Sequence, residues 1–218
     1  MEPPKDLMLQ LKRKYTLEDF IETGTYRGGT ALWAAAHFAR VTTIEFSRAL
    51  YEDMRAQHSG IHNINCIFGD SREALKTILP KLDRPAMLWL DSHWSGGRTY
   101  GEHDECPLLG EIEALTSSAQ THFLFIDDAR LFASPPPRPH RIEQWPTIDR
   151  VLGALKSAGP GYYIVIIEDV IIAVPDYARA LVAGYCQEAN TGAWQEAGSA
   201  QGARGNGLQR ILQKLWRA

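Results

Sequence analysis

The sequence predicts an α/β domain: a Rossmann-like, mainly parallel sheet with helices on both faces and an antiparallel hairpin towards its C-terminal end. Three observations carry this reading. Short apolar runs alternate with helix-like segments, the pattern of right-handed strand–helix–strand crossovers. A glycine-rich turn, Glu22-Thr23-Gly24-Thr25-Tyr26-Arg27-Gly28-Gly29-Thr30, separates the first run from the first helix. Five successive runs also stop at or beside an acidic residue, and ligands of open α/β sheets bind outside the carboxyl ends of the strands.

Taken in order, residues 19–22 form the first strand, and the turn leads into an alanine-rich helix over 30–38. Residues 41–45 are a β-branched second strand ending at Glu45, followed by a helix over 47–57. Residues 64–68 stop at Gly69-Asp70, where Ser71 is placed to cap a helix reaching residue 79. Residues 86–90 stop at Asp91, a helix covers 107–115, and residues 122–126 stop at Asp127-Asp128. Pro135-Pro136-Pro137-Arg138-Pro139 is a stiff connection or lid hinge, followed by a helix over 147–157. Residues 163–167 and 170–174 flank Glu168-Asp169 and read as the hairpin. Residues 1–186 are thus one domain. Residues 187–218 read as a flexible Gly/Ala/Ser/Gln-rich segment and a short basic amphipathic helix over 208–216, suited to docking on the domain or pairing in a homodimer, with contact to a membrane surface as the alternative.

Composition narrows the function classes. The 218 residues are 44% hydrophobic and 22% charged with net charge −3, so no global field draws the chain to nucleic acid or an anionic membrane. Three scattered cysteines, with no CxxC pair, fit a reducing, cytoplasmic setting. The N-terminus lacks a signal-peptide pattern, and no apolar run approaches the length of a membrane span.

The acidic strand ends are the candidate chemistry. Glycines in the first turn let a ligand approach the main chain, although Tyr26 replaces the middle glycine of a pyrophosphate cradle. Glu45 follows Gly24 by 21 residues, a spacing at which a carboxylate accepts both hydroxyls of a ribose. It identifies a nucleoside rather than a reaction. Asp70 is placed to receive an adenine amino group, or else is a solvated strand end. Asp91, Asp127 and Asp128 converge from neighbouring strands and would repel unless a positive charge lies between them. Mg²⁺ with oxygen ligands is one candidate, and ordinary polar strand ends are the alternative. The near-consecutive His103, Asp104 and Cys106 lack the spacing of a zinc site.

Together, Glu22-x-Gly24-x-Tyr26-x-Gly28-x-Thr30, Glu45, the Asp91-Ser92-His93-Trp94 segment and Asp127-Asp128 resemble the Mg²⁺-dependent small-molecule O-methyltransferases. These are S-adenosylmethionine (SAM)-dependent enzymes of the catechol, macrolide-sugar and cephalosporin-tailoring types. The resemblance covers about residues 18–175. It implies SAM against Glu22, Gly24, Thr25, Tyr26, Gly28 and Thr30, with Glu45 and its neighbour Phe46 at the ribose. It places Asp70, Ser71, Asp91, His93 and Trp94 around the cofactor, and Mg²⁺ on Asp91, Asp127 and Asp128. The catechol-type lysine base is missing here, since Ser95-Gly96-Gly97 follows Trp94. His93, beside Asp91, becomes the preferred base, with His103 second. The long connection from Ser95 to Pro107 reads as a substrate lid. The expected activity is methyl transfer to a hydroxyl, or a nitrogen, of a small molecule. A NAD-type oxidoreductase and a non-catalytic nucleotide-binding protein of the same fold are the alternatives.

Overall fold

A computed structural model describes residues 3–97, 99, 101, 103–159 and 161–196. Residues 1–179 form one compact unit, and 180–218 a second.

The first unit begins with α1 (Lys5–Tyr15), which buries Leu7, Met8 and Leu11 on one face and ends at Thr16 in the left-handed region. The chain then alternates: β1 (Asp19–Thr23), α2 (Gly29–Ala35), β2 (Arg40–Glu45), α3 (Arg48–His58), β3 (Ile64–Phe68), α4 (Ser71–Ile78), β4 (Met87–Leu90), α5 (Leu108–Ala114) and β5 (Phe123–Ile126). It continues through the short α6 (Arg130–Ala133) and α7 (Ile148–Ala158) to the hairpin β6 (Tyr162–Ile167) and β7 (Val170–Pro175). The sheet order is β3-β2-β1-β4-β5-β7-β6. Its first five strands are parallel, and β7 lies antiparallel between β5 and β6.

The central strands have no polar face because helices cover both sides of the sheet. Every residue of β1, β4, β5 and β7 is buried. Packing of Ile21, Leu88, Leu90, Leu124 and Ile126 with Leu75, Ile112 and Leu155 forms one core between sheet and helices. β3 is the edge strand of the parallel half. Its Phe68 is 40% exposed and carries Arg48 over its ring at 4.2 Å.

Sequence order between β1 and β4 reverses in space, so β2 leaves to one side and β4 arrives on the other. That reversal opens a crevice at the carboxyl end of β1, where such sheets take ligands. The site lies there.

All the strands expected from the sequence are present. Helix α1 and the short α6 were not foreseen. Residues 180–196, the described part of the second unit, are helical throughout, although composition makes 187–196 part of a flexible segment. The amphipathic helix expected over 208–216 lies outside the described residues. Among the described residues no helix is long and apolar enough to cross a membrane, and all three cysteines are free thiols.

Candidate active site

The floor of the site is the turn after β1. Gly24 has φ +82°, and a Cβ there would sit 2.4 Å from the Asp91 carbonyl oxygen and 2.8 Å from its carbon. Only glycine lets the turn press this closely on the tip of β4. Tyr26 also adopts positive φ, at 49°. This directs its N–H onto Glu45 Oε2 at 2.9 Å, while Ser47 N donates to Glu45 Oε1 at 2.7 Å. Glu45 thus ends β2 with backbone donors on both oxygens, and Phe46 and Thr25 add to Tyr26 and Ser47. Burial raises its pKa, and those backbone hydrogen bonds oppose the rise.

Glu22 lies behind this turn and does not line the cleft. It is 2% exposed and receives the Thr43 hydroxyl at 2.6 Å. Burial pushes its pKa up to about 8; hydrogen bonds from Thr43 and Thr30 pull the other way, and the charges of Asp91 and Glu45 add to the rise. The Thr25 and Thr43 hydroxyls meet at 2.5 Å. Glu22, Thr25 and Thr30 therefore brace the turn from beneath. Gly28 caps α2 in the left-handed region.

In front of the turn is a cleft of about 450 Å³. Gly24, Tyr26, Glu45 and Phe46 line one side, and Asp91, Ser92, His93, Ser95, Gly96, Gly97 and Thr99 line the other. Tyr26 and Phe46 are 52% and 45% exposed, offering apolar ring faces to whatever enters. Asp70 and Ser71 are not on that wall among the described residues. Asp70 caps α4 through Arg72 N and is held by the Arg72 guanidinium at 2.6 Å, which also reaches Asp104 at 2.7 Å. Ser71 is buried on the first turn of α4. Trp94 is likewise off the cleft, its ring edge-on to His140.

The ends of β4 and β5 come together as the sequence requires, but with a different membership. Asp91, His93 and Asp128 offer ligand atoms within 4.8 Å of one another. Asp127 turns its Oδ1 onto the Asp128 N–H at 2.7 Å and stays outside that group. His93 Nε2 lies 2.9 Å from Asp128 Oδ2, and its Nδ1 3.4 Å from Asp91 Oδ1. Arg130 Nη1 donates to Asp128 Oδ1 at 2.7 Å. The positive charge that converging carboxylates demand is thus available from the protein itself. Burial disfavours a charged His93 ring, but the Asp128 hydrogen bond and the charges of Asp91, Asp128 and Asp127 outweigh it and raise its pKa. Asp128 is held well below the usual carboxylate range, since His93 and Arg130 overcome its desolvation. Burial pushes Asp91 up to about 7 despite His93, with Asp127 and Asp128 adding to the rise.

A second cavity of about 410 Å³ adjoins this junction. His93 and Ser95 line both spaces; Asp128, Arg130, Leu131, Ser134, Pro135, Pro137 and His140 complete the second. The Pro-rich segment is therefore a cavity wall, and Ser95, Gly96, Gly97 and Thr99 close one side of the first cleft. Sequence reasoning missed Thr43, Arg130 and His140, none of which belongs to a local motif.

No protein-family profile matches the sequence, and no curated protein does. Solved structures do resemble the fold. A protein from Staphylococcus aureus described as a caffeoyl-CoA O-methyltransferase superposes with TM-score 0.55 at 17% identity, covering 80% of this chain and 84% of that one. The Podospora anserina methyltransferase PaMTH1, bound to S-adenosylhomocysteine (SAH), gives 0.52 at 15% identity over 80% and 79%. A Clostridium thermocellum protein described as an rRNA-methylase gives 0.53 at 10% identity over 79% and 96%. These likenesses identify the architecture as the Rossmann-like methyltransferase fold.

Proposed function

We propose that this methyltransferase-fold chain binds SAM in the cleft between β1 and β4 and methylates a hydroxyl group of a small molecule. One observation carries the reading: the close-packed Gly24 turn and the buried Glu45 carboxylate face the same cleft. Backbone N–H groups hold the Glu45 carboxylate at the cleft wall, where it can meet a vicinal hydroxyl pair such as that of ribose. Tyr26 and Phe46 supply ring faces for a purine. Glu45 and Asp91 at the wall favour a cationic sulfonium and repel a pyrophosphate, which disfavours NAD.

Bound SAM supplies an electrophilic methyl on a sulfonium whose leaving group is a neutral thioether. The protein's part is to align donor and acceptor and exclude water. His93 and Ser95, shared by both cavities, mark where the reacting groups meet. The fold also serves a protein described as an rRNA-methylase. A second cavity of about 410 Å³ and a net charge of −3 favour a small acceptor over nucleic acid.

A metal-assisted version rests on the Asp91–His93–Asp128 group. Two carboxylates and an imidazole fit a divalent ion that also accepts nitrogen, such as Mn²⁺, better than Mg²⁺, which prefers oxygen ligands throughout. The ion would polarise the acceptor oxygen, and His93 would have to be neutral to hold it.

Calorimetry with SAM, SAH and NAD⁺ tests the proposal. SAM and SAH should bind, and Glu45→Gln should weaken SAH by about tenfold or more through loss of a charge-assisted hydrogen bond. Binding of NAD⁺ alone would refute it.

A further inference from the structure

The lips of the second cavity are tied together by one buried side chain. Glu105, in the connection after β4, is fully buried. Its Oε2 accepts from Trp145 Nε1 at 2.7 Å, and both its oxygens accept from Arg141 N, at 3.0 and 3.2 Å. His140 Nδ1 completes the set, 3.1 Å from Oε2. Its own main chain joins in: Glu105 N donates to Gln144 Oε1 at 2.8 Å, and its carbonyl accepts from Trp94 N at 2.8 Å.

Burial would protonate Glu105, but hydrogen bonds from Trp145, Arg141 and His140 hold its pKa below the ordinary value. An ionised carboxylate only accepts, so Nδ1 of His140 carries a proton. The ring plane is set by edge-on contacts with Trp94 at 5.4 Å and Trp145 at 5.1 Å. Nε2 has no hydrogen-bond partner among the described residues, and the ring lines the second cavity. His93 is placed otherwise, with each ring nitrogen beside a carboxylate. Its Nε2 is engaged by Asp128, and its Nδ1 stands 3.4 Å from the Asp91 carboxylate, so neither faces the second cavity as Nε2 of His140 does.

Building on the methyl-transfer reading, we infer that Glu105 and His140 form a carboxylate–imidazole dyad in which His140 Nε2 is the base for the acceptor hydroxyl. The acceptor O–H bond breaks with its proton passing to Nε2. The oxygen pair forms the new bond to the methyl carbon, and the C–S bonding pair returns to sulfur, cancelling the sulfonium charge. The imidazolium then loses its proton to water. His140 is the catalytic residue, and Glu105 a positioning residue that fixes its tautomer.

The test uses the full chain labelled with ¹⁵N-histidine, beside His140→Gln and Glu105→Gln. Long-range ¹H–¹⁵N spectra should show His140 protonated at Nδ1 and bare at Nε2, and Glu105→Gln should lose that preference. With phenols, catechols and sugars as acceptors, His140→Gln should lower kcat for SAH formation by about 100-fold, leaving KM for SAM unchanged. A wild-type His140 protonated at Nε2 alone, or a His140→Gln kcat within about threefold of wild type, would overturn the assignment. A chain with the expected tautomer that binds no SAM would sink the methyl-transfer reading and leave the dyad standing.

Discussion

Replacing Gly24 by alanine adds one methyl group at the most crowded point of the site. At φ +82° an L-residue costs about 1–2 kcal/mol of backbone strain. The new Cβ would stand 2.4 Å from the Asp91 carbonyl oxygen, 2.8 Å from its carbon and 3.1 Å from Ser92 Cα. All three are backbone atoms on the tip of a central strand, so no side chain can swing away. Overpacking of this kind adds about 1–3 kcal/mol. The total expected loss of stability is therefore about 2–5 kcal/mol. Relief by moving the Asp91 segment about 1 Å would also spoil the cleft, where such displacements cost about 100-fold. Urea unfolding with and without saturating SAH measures both effects. Gly153→Ala is the matched control: the same methyl, inside α7, meets nothing within 4 Å. It should stabilise by about 0.5–1 kcal/mol. Wild-type stability and SAH affinity in Gly24→Ala would refute the claim that this contact shapes the site.

Two further outcomes follow from the buried acids. Glu22 has its folded pKa raised to about 8, so its favourable contribution is complete below the unfolded value of 4.5 and drains away as pH climbs through 8. Glu22→Gln should flatten the decline of stability between those limits by roughly 1 kcal/mol per pH unit, and an unchanged slope in denaturant melts would count against the assignment. In the metal-assisted version, a proton on His93 competes with the ion, and its raised pKa extends that competition upward in pH. Asp91, raised to about 7, must lose its proton too, so Mn²⁺ affinity, followed by electron paramagnetic resonance, should fall by at least roughly tenfold per pH unit towards acid and disappear in Asp128→Asn. Binding that ignores both pH and Asp128 would place the ion elsewhere.

Much of this arrangement was legible in the chain because strands and their tips are local. Apolar runs closed by Glu45, Asp70, Asp91 and Asp127 could be counted along the sequence, and the strand–turn–helix around Gly24 needs only its neighbours to be read. Side-chain direction was less accessible. Glu22 and Glu45 both stand at strand ends, yet one braces the turn from behind and the other faces the cleft, a difference set by pleat and register. Asp127 and Asp128 are adjacent, but the positive φ of Asp128, 57°, turns only one of them towards His93. Glu105 and His140 are 35 positions apart in polar, irregular segments with no periodicity to relate them. Helix α1 hid its Leu7, Met8 and Leu11 face among lysines and arginines beside two prolines. The helical stretch of 187–196 prevailed over a Gly/Ala/Gln composition suggestive of mobility.

The strand tips are also cross-braced. Gly24 N donates to Ile44 O at 2.9 Å, Asp91 N to Thr23 O at 3.1 Å, and Asp127 N to Leu90 O at 3.1 Å. Each of these bonds joins a candidate site residue to the strand next to it, near the middle of the sheet. Amides in such positions exchange with solvent only when a large part of the molecule opens, whereas those of edge strands escape by fraying. The machinery therefore sits where thermal breathing is least, so wear at the periphery can accumulate before the distances that matter to chemistry begin to drift.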